Sequence, residues 1–138
     1  MPGYLLDTNI LSELRKRRPS YMVAAWFDTV SEEDLYLSVL VAGEIRQGIE
    51  RLRRQHPERA ADYEQWLDEL LMVYGDRIVG IDVLVADEWG RLNTGRTLPV
   101  VDGLLAATAR VHEWTLVTRN VRDFPKDLDI LNPFEPPA

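Results

Sequence analysis

Short apolar runs alternate with longer segments of helical periodicity along the chain. The runs at residues 4–6, 35–38, 78–81, 115–118 and 128–131 are mainly apolar and have the length of strands buried on both faces. Helical segments separate most of these runs. Because parallel strands need such crossover connections, the alternation predicts a parallel sheet with helices on both faces. In folds of this kind, ligands bind outside the carboxyl ends of the strands.

Apolar residues at helical spacing predict the helices that connect these strands. Residues 41–54 and 58–74 are expected to form a helical hairpin, because His56, Pro57 and Glu58 interrupt their pattern. With 138 residues, the chain is expected to form a single domain. Other helices are predicted from Thr8 to the basic run at residues 15–18, at residues 21–30, from residue 83 to about residue 91, and at residues 101–114; a loop is expected at residues 95–99 and a proline-rich tail at residues 132–138.

Cysteine is absent from the chain, which excludes disulfides, thiolate zinc sites and cysteine nucleophiles. No apolar run approaches the length of a membrane span, and the first residues lack the basic start and long apolar stretch of a secretory signal. We therefore expect a cytoplasmic protein with no membrane partner.

The formal net charge of −7 argues against a nucleic-acid partner, because phosphate binding normally uses a basic surface. The objection weakens if several acids hold divalent cations that present positive charge to phosphate. Basic residues are also clustered, at residues 15–18 and again between Arg46 and Arg59. Most of these basic residues are nevertheless expected to lie on solvated helix faces.

Four acidic residues are expected to meet at the carboxyl edge of the predicted sheet. Asp7 ends the first strand, and Asp123 lies just beyond the fourth. Glu44 lies about two turns into the helix after the second strand. Asp102 lies at the start of the helix that precedes the fourth strand. If the first and fourth strands are neighbours, these carboxylates converge on one edge of the sheet.

Each of these acids also has an ordinary structural interpretation. Asp7 and Asp102 could cap the helices that begin beside them, where a carboxylate complements the helix dipole. Glu44 could be a surface glutamate and Asp123 a loop aspartate, although a carboxylate within the mostly apolar segment 37–45 needs a partner. The polar residues near the strand ends, which could orient carboxylates or bound water or could simply form turns and caps, are Thr8, Asn9, Thr118 and Asn120.

A cluster of four carboxylates needs neutralisation by protons or cations. At about 5 Å and an effective dielectric constant near 20, each pair repels by roughly 3 kcal/mol. Hard oxygen ligands without cysteine select Mg²⁺ or Mn²⁺ over zinc, and Mg²⁺ retains waters that can act as the nucleophile. The pattern therefore favours metal-dependent phosphodiester hydrolysis, which needs no histidine base. His56 and His112 are expected to be incidental.

Several blocks of the sequence resemble PIN-domain toxins of the VapC and FitB type, often called plasmid stability proteins. The likeness runs over nearly the whole chain, from about Leu5 to Glu135. The blocks that resemble the family are DTNILSEL at residues 7–14, LYLSV and GEIRQGI at residues 35–39 and 43–49, LPVVD and LAATA at residues 98–102 and 105–109, VTRNVRDF at residues 117–124, and NPFE at residues 132–135.

The resemblance implies a PIN-like three-layer α/β sandwich with a central, mainly parallel sheet of four to five strands. It implies the toxin of a type II toxin–antitoxin system, a Mg²⁺- or Mn²⁺-dependent ribonuclease that cleaves single-stranded RNA. Asp7, Glu44 and Asp102 would be the core catalytic and metal-binding acids, with Asp123 as a fourth, more variable one.

The resemblance also implies protein partners. Such toxins are usually homodimers, alone or within a larger toxin–antitoxin assembly. A cognate antitoxin would wrap the helical hairpin and often place an arginine in the acidic pocket, an arrangement that is electrostatically favourable in its own right. DNA would be reached only through the antitoxin.

Two other functions compete with a ribonuclease toxin. The first is a catalytically silent PIN module that acts with an antitoxin as a DNA-binding co-repressor. The second is a small-molecule phosphatase with Asp7 as its nucleophile. That chemistry favours a second aspartate two residues later, where this chain has Asn9, so we rank the phosphatase last.

Overall fold

Five strands form one parallel sheet in this computed structural model, which describes residues 2–95 and 98–136. The strand order is β3-β2-β1-β4-β5, so the first strand lies at the centre of the sheet. Leu5 of β1 lies opposite Tyr36 on one side and Leu116 on the other. The predicted parallel sheet is confirmed. The strands are β1 (Tyr4–Leu6), β2 (Leu35–Ser38), β3 (Ile78–Val79), β4 (Thr115–Val117) and β5 (Ile130–Leu131).

Six helices lie between these strands in the described part of the chain. Side-chain oxygens of Asp7, Ser20, Ser38 and Asp82 each accept a backbone N–H at the start of a helix, as expected of N-cap residues. The helices are α1 (Thr8–Arg15), α2 (Tyr21–Thr29), α3 (Val39–Arg53), α4 (Pro57–Tyr74), α5 (Val83–Leu92) and α6 (Val100–His112), with short 3₁₀ turns at Glu32–Asp34, Gly75–Arg77 and Val121–Asp123.

The predicted helical hairpin is confirmed. Pro57 begins α4 at a position where its missing N–H is not needed. Arg46 and Arg53, both on α3, form ion pairs with Glu64 on α4. Since these side chains are partly exposed, the ion pairs add little stability compared with the apolar residues packed between the two helices.

Some predicted boundaries are wrong by a few residues. The helix predicted at residues 101–114 ends at His112, because Glu113 adopts a left-handed conformation with φ of 58°. The third and fifth strands are two residues each. Within the predicted loop at 95–99, residues 96 and 97 lie outside the described residues, as do residues 137 and 138 of the predicted tail.

The core lies between the sheet and the helices that cover it. Strand residues Leu5, Leu6 and Leu116 are fully buried, and Leu105 of α6 and Val41 of α3 are buried in the same cluster. This arrangement confirms the predicted three-layer α/β sandwich. Across residues 2–95 and 98–136, no helix has the length and apolar character that crossing a membrane requires.

An aromatic stack covers the amino-terminal edge of the sheet. The Trp114 ring stacks between Tyr36, at a centroid distance of 4.0 Å, and His112, at 4.2 Å. Gly3 lies against the edge of this indole at Cδ1 and Nε1, and a Cβ atom there would overlap the ring. Because both faces of the indole are covered, the ring has little freedom to move away from a larger residue.

We predict that Gly3→Ala lowers the free energy of unfolding by about 1–3 kcal/mol, because the added methyl group overpacks this edge. The matched control is Gly48→Ala, since Gly48 lies within α3 and a Cβ there meets nothing within 4 Å. That substitution should stabilise the protein by about 0.5–1 kcal/mol. Urea unfolding of both variants measures the difference, and a Gly3→Ala protein as stable as wild type would contradict the assigned packing.

Candidate functional site

Asp7 and Thr118 lie side by side because β1 and β4 are neighbours. The Asp7 backbone N–H donates to the Val117 carbonyl at 3.0 Å, and the Thr118 hydroxyl donates to Asp7 Oδ2 at 2.8 Å. Both residues follow the last residue of their strand and are buried. The first and fourth strands are thus neighbours, which is the condition on which the expected convergence of the acids depended.

Asp7 caps helix α1 and also lines a cleft at the carboxyl edge of the sheet, which it shares with Glu44 and Asp102. Its Oδ1 accepts the backbone N–H of Thr8 at 2.7 Å, and the residue is 7% exposed. Burial raises the pKa of Asp7, while the hydrogen bonds from Thr118, Thr8 and Asn9 oppose that rise. The capping role that sequence left open therefore does not exclude the site role, because the capping Asp7 also lines the cleft.

Glu44 lies in the second turn of α3 and faces the same cleft. Its Oε1 accepts the hydroxyl proton of Thr8 at 2.8 Å. Burial raises the pKa of Glu44, and the negative charges of Asp7 and Asp102 raise it further. The structure thus places Glu44 in a half-buried, hydrogen-bonded position, and the surface interpretation of this residue is wrong.

Asp102 lies in the first turn of α6. The N-cap position of that helix is Pro99, which makes no side-chain capping bond. Burial is the main cause of the raised pKa of Asp102, followed by the negative charges of Asp7 and Asp123. The charge of Asp7 thus raises the pKa of Asp102, and the charge of Asp102 raises the pKa of Glu44.

Asp123 stands apart from the other three acids. It ends the 3₁₀ turn Val121–Asp123 and is exposed. Its charge reaches Asp102, but Asp123 is not among the residues that line the cleft. The structure therefore brings Asp7, Glu44 and Asp102 together and leaves Asp123 at the margin.

The polar residues near the strand ends form one hydrogen-bonded network around Asp7. The Thr118 oxygen accepts from the Asn9 amide at 3.2 Å and from the Asn120 backbone N–H at 3.2 Å. With both acceptor positions used, the Thr118 hydroxyl proton points to Asp7. The Thr8 hydroxyl likewise donates its proton to the Glu44 carboxylate. Thr8, Asn9 and Thr118 thus orient two of the carboxylates, whereas Asn120 contributes only its backbone.

Sequence reasoning did not select several further residues that line the cleft. Glu13 is buried, and its carboxylate accepts from the Lys16 ammonium at 2.9 Å and from the Ser20 N–H at 2.8 Å. These contacts hold the pKa of Glu13 below its usual value. Helical spacing from Asn9 along α1 was the available signal, because residues three, four and seven positions later share its face. The additional lining residues are Ser12, Glu13, Lys16, Arg119 and Phe134.

The cleft has the donor chemistry of a hard divalent cation. Its volume is about 470 Å³, and Asp7, Glu44 and Asp102 supply carboxylate oxygens, the ligands that Mg²⁺ and Mn²⁺ prefer. Over residues 2–95 and 98–136, no three acidic or histidine side chains are already close enough together to enclose an ion. This open arrangement fits Mg²⁺, which is commonly held by one or two carboxylates and completes its coordination with waters and substrate phosphates.

A parallel α/β sheet with an acidic cleft at its carboxyl edge defines the class of this protein. Residues 4–126 match the PIN domain, and the chain belongs to the PIN-domain family. The resemblance expected from the sequence blocks is thereby confirmed.

Individual relatives match this chain over nearly their full length. The chain is 32% identical to toxin FitB of Neisseria gonorrhoeae over 94% of this chain and 97% of the relative. It is 33% identical to the VapC ribonuclease Y4jK of Sinorhizobium fredii, over 96% of this chain and 98% of the relative. The solved structure of FitAB bound to an IR36 DNA fragment is similar with a TM-score of 0.87 and 30% identity, covering 98% of each chain.

The raised carboxylate pKa values predict that the site destabilises the protein when no cation is bound. Ionising a carboxyl group with a raised folded-state pKa costs free energy, so stability should fall as the pH rises from about 4 through that pKa. Asp102→Asn should therefore raise the free energy of unfolding at pH 7 by on the order of 1 kcal/mol, measured by urea unfolding in a chelator.

The matched control is Asp62→Asn on an exposed position of α4, which should change stability by less than about 0.5 kcal/mol. Adding Mn²⁺ should stabilise wild type more than Asp102→Asn. An Asp102→Asn protein that is less stable than wild type at pH 7 would contradict the assigned repulsion.

Proposed function

We propose that the chain is the toxin of a type II toxin–antitoxin system and acts as a Mg²⁺- or Mn²⁺-dependent endoribonuclease. The observation that carries the proposal is the meeting of Asp7, Glu44 and Asp102 in one cleft, where burial raises the pKa of each and neighbouring negative charges further raise the pKa of Glu44 and Asp102. Relatives described as a toxin and as a ribonuclease support the same activity. Asp123 is proposed as an auxiliary acid that adds negative charge near Asp102.

The chain's own groups supply ligands, orientation and proton acceptance. When bound, a divalent cation would lower the pKa of a water molecule and neutralise charge on the phosphate. Asp7 and Asp102 would hold the cation, and Thr118 and Asn9 fix the Asp7 carboxylate through their hydrogen bonds. Glu44 has a raised pKa, so it accepts a proton more readily than a solvent-exposed glutamate does.

Cleavage of RNA by the purified protein tests the site assignment. Asp7→Asn and Asp102→Asn should each lower the rate of cleavage with Mg²⁺ or Mn²⁺ by at least about 100-fold, because each removes a charged oxygen ligand. Asp62→Asn removes the same charge far from the cleft and should retain activity. The rate is measured on a single-stranded RNA oligonucleotide.

Two outcomes would contradict the assignment in different ways. If Asp7→Asn cuts RNA as well as wild type, the site is wrong. If wild type cuts no RNA at any concentration of either metal but its antitoxin complex still binds DNA, the silent co-repressor is the better account.

An apolar groove beside the helical hairpin is the proposed antitoxin site. The groove has a volume of about 430 Å³ and is lined by α1, α2 and α4, with Leu14, Phe27 and Leu70 among its walls. Arg15 lies over the Tyr63 ring at 3.8 Å and borders the groove. The solved FitAB structure, which includes DNA, supports an antitoxin partner that in turn contacts DNA.

We also propose a homodimer, since Val83 and Leu84 at the start of α5 are strongly exposed.

Leu70→Glu should weaken binding of the cognate antitoxin by at least about tenfold, because a carboxylate would be desolvated in the groove. Leu71→Glu is the matched control, since the neighbouring side chain is 41% exposed and does not line the groove. Antitoxin affinity and inhibition of RNA cleavage are measured for both variants. Equal weakening by both would place the antitoxin elsewhere.

A further inference from the structure

Arg119 and Phe134 form a cationic and aromatic pair on the wall of the acidic cleft. The guanidinium carbon of Arg119 lies 4.4 Å from the centroid of the Phe134 ring. Both residues line the cleft that contains Asp7, Glu44 and Asp102. Arg119 directly follows Thr118 at the end of β4, and Phe134 follows β5, so two adjacent strands deliver the pair.

Side-chain amides hold the two residues of this pair in register. The Asn9 side-chain oxygen accepts the Arg119 backbone N–H at 3.2 Å. Asn132 connects the two segments, since its amide nitrogen donates to the Arg119 carbonyl at 3.5 Å and its oxygen accepts the Phe134 N–H at 3.0 Å. The pair is therefore connected through Asn9 to the carboxylate of Asp7, although Arg119, Asn132 and Phe134 themselves have no role in the catalytic assignment.

The charge of Arg119 reaches Glu13, whose pKa it helps to lower, but the Glu13 carboxylate is already paired with the Lys16 ammonium. Lys16, which also lines the cleft, donates to Glu13 at 2.9 Å. Among the ion pairs formed within residues 2–95 and 98–136, none includes Arg119. Of the two cations on the cleft wall, Arg119 is thus the one left for a negatively charged ligand in this part of the chain.

We propose that Arg119 binds a backbone phosphate of single-stranded RNA beside the phosphate that is cleaved, and that the Phe134 ring keeps the guanidinium in place. This inference rests on the proposed ribonuclease function. A protein with a net charge of −7 and four acids lining its cleft repels RNA. A guanidinium stacked on a ring keeps its N–H edge available for two hydrogen bonds to phosphate.

A phosphate contact of this kind strengthens binding without taking part in the reaction. The contact is independent of base sequence, so it sets affinity and register rather than specificity. It should therefore appear in KM and in the salt dependence of binding, and only weakly in kcat. The stack on Phe134 should contribute to affinity without changing the number of phosphate contacts.

The test compares Arg119→Gln with Arg54→Gln. Arg54 is exposed at the end of α3 and does not line the cleft, so its substitution removes the same charge elsewhere. Binding of a single-stranded RNA oligonucleotide is measured with Mg²⁺ over a range of salt concentrations, with all proteins carrying Asp7→Asn to prevent cleavage. KM and kcat for cleavage are measured with the corresponding proteins that retain Asp7.

Arg119→Gln should weaken RNA binding by about tenfold and reduce the slope of log affinity against log salt by about 0.7, the value for one phosphate contact on a single strand. KM should rise, and kcat should stay within about twofold. Phe134→Leu should weaken binding by about threefold with the slope unchanged, and Arg54→Gln should change neither. Thermal unfolding checks that each variant is folded.

The outcomes separate this inference from the proposed function. If wild type cleaves RNA and Arg119→Gln has the same KM and the same salt slope as wild type, this inference is wrong and the proposed ribonuclease function still stands. If Arg119→Gln loses inhibition by the antitoxin but binds RNA normally, the pair serves a protein partner and the inference is also wrong. If the protein with Arg119 intact neither binds nor cleaves RNA, the proposed function fails first.

Discussion

The hydrogen bond from the Asp7 N–H to the Val117 carbonyl joins the central strand to β4 beyond the last residue of β1. That single pairing sets the register that places Thr118 against the Asp7 carboxylate and brings Arg119 to the same edge. A shift by one residue would turn Thr118 away, because successive side chains of a strand point to opposite faces. The contacts that join Asp7 and Asn9 to Thr118 and Arg119 depend on this register.

The ionised carboxylates of the site destabilise the fold electrostatically. Asp7 is buried, and its charge raises the pKa of both Glu44 and Asp102, which are partly buried. Hydrogen bonds from Thr118, Thr8 and Asn9 compensate Asp7 and Glu44 only in part. A bound cation would remove the remaining repulsion, so stability and metal binding are linked in one set of side chains.

Sequence reasoning predicted most of the fold from local patterns, and it expected Asp7, Glu44 and Asp102 at one edge of the sheet, although it missed Glu13. Strand ends are visible as apolar runs, and the binding edge of a parallel sheet follows from its topology. The Arg119–Phe134 pair was not predicted, since it depends on Asn132 bridging two segments that share no sequence periodicity. The left-handed Glu113, which ends α6 early, carries no such signal either.

The most direct test of the account is a crystal structure grown with Mn²⁺, with the ion located by its anomalous scattering. The account predicts a peak in the cleft at about 2.0–2.3 Å from carboxylate oxygens of Asp7 or Asp102, with Glu44 close by. A map with no peak in the cleft at saturating Mn²⁺, or with the ion bound only elsewhere on the surface, would contradict it.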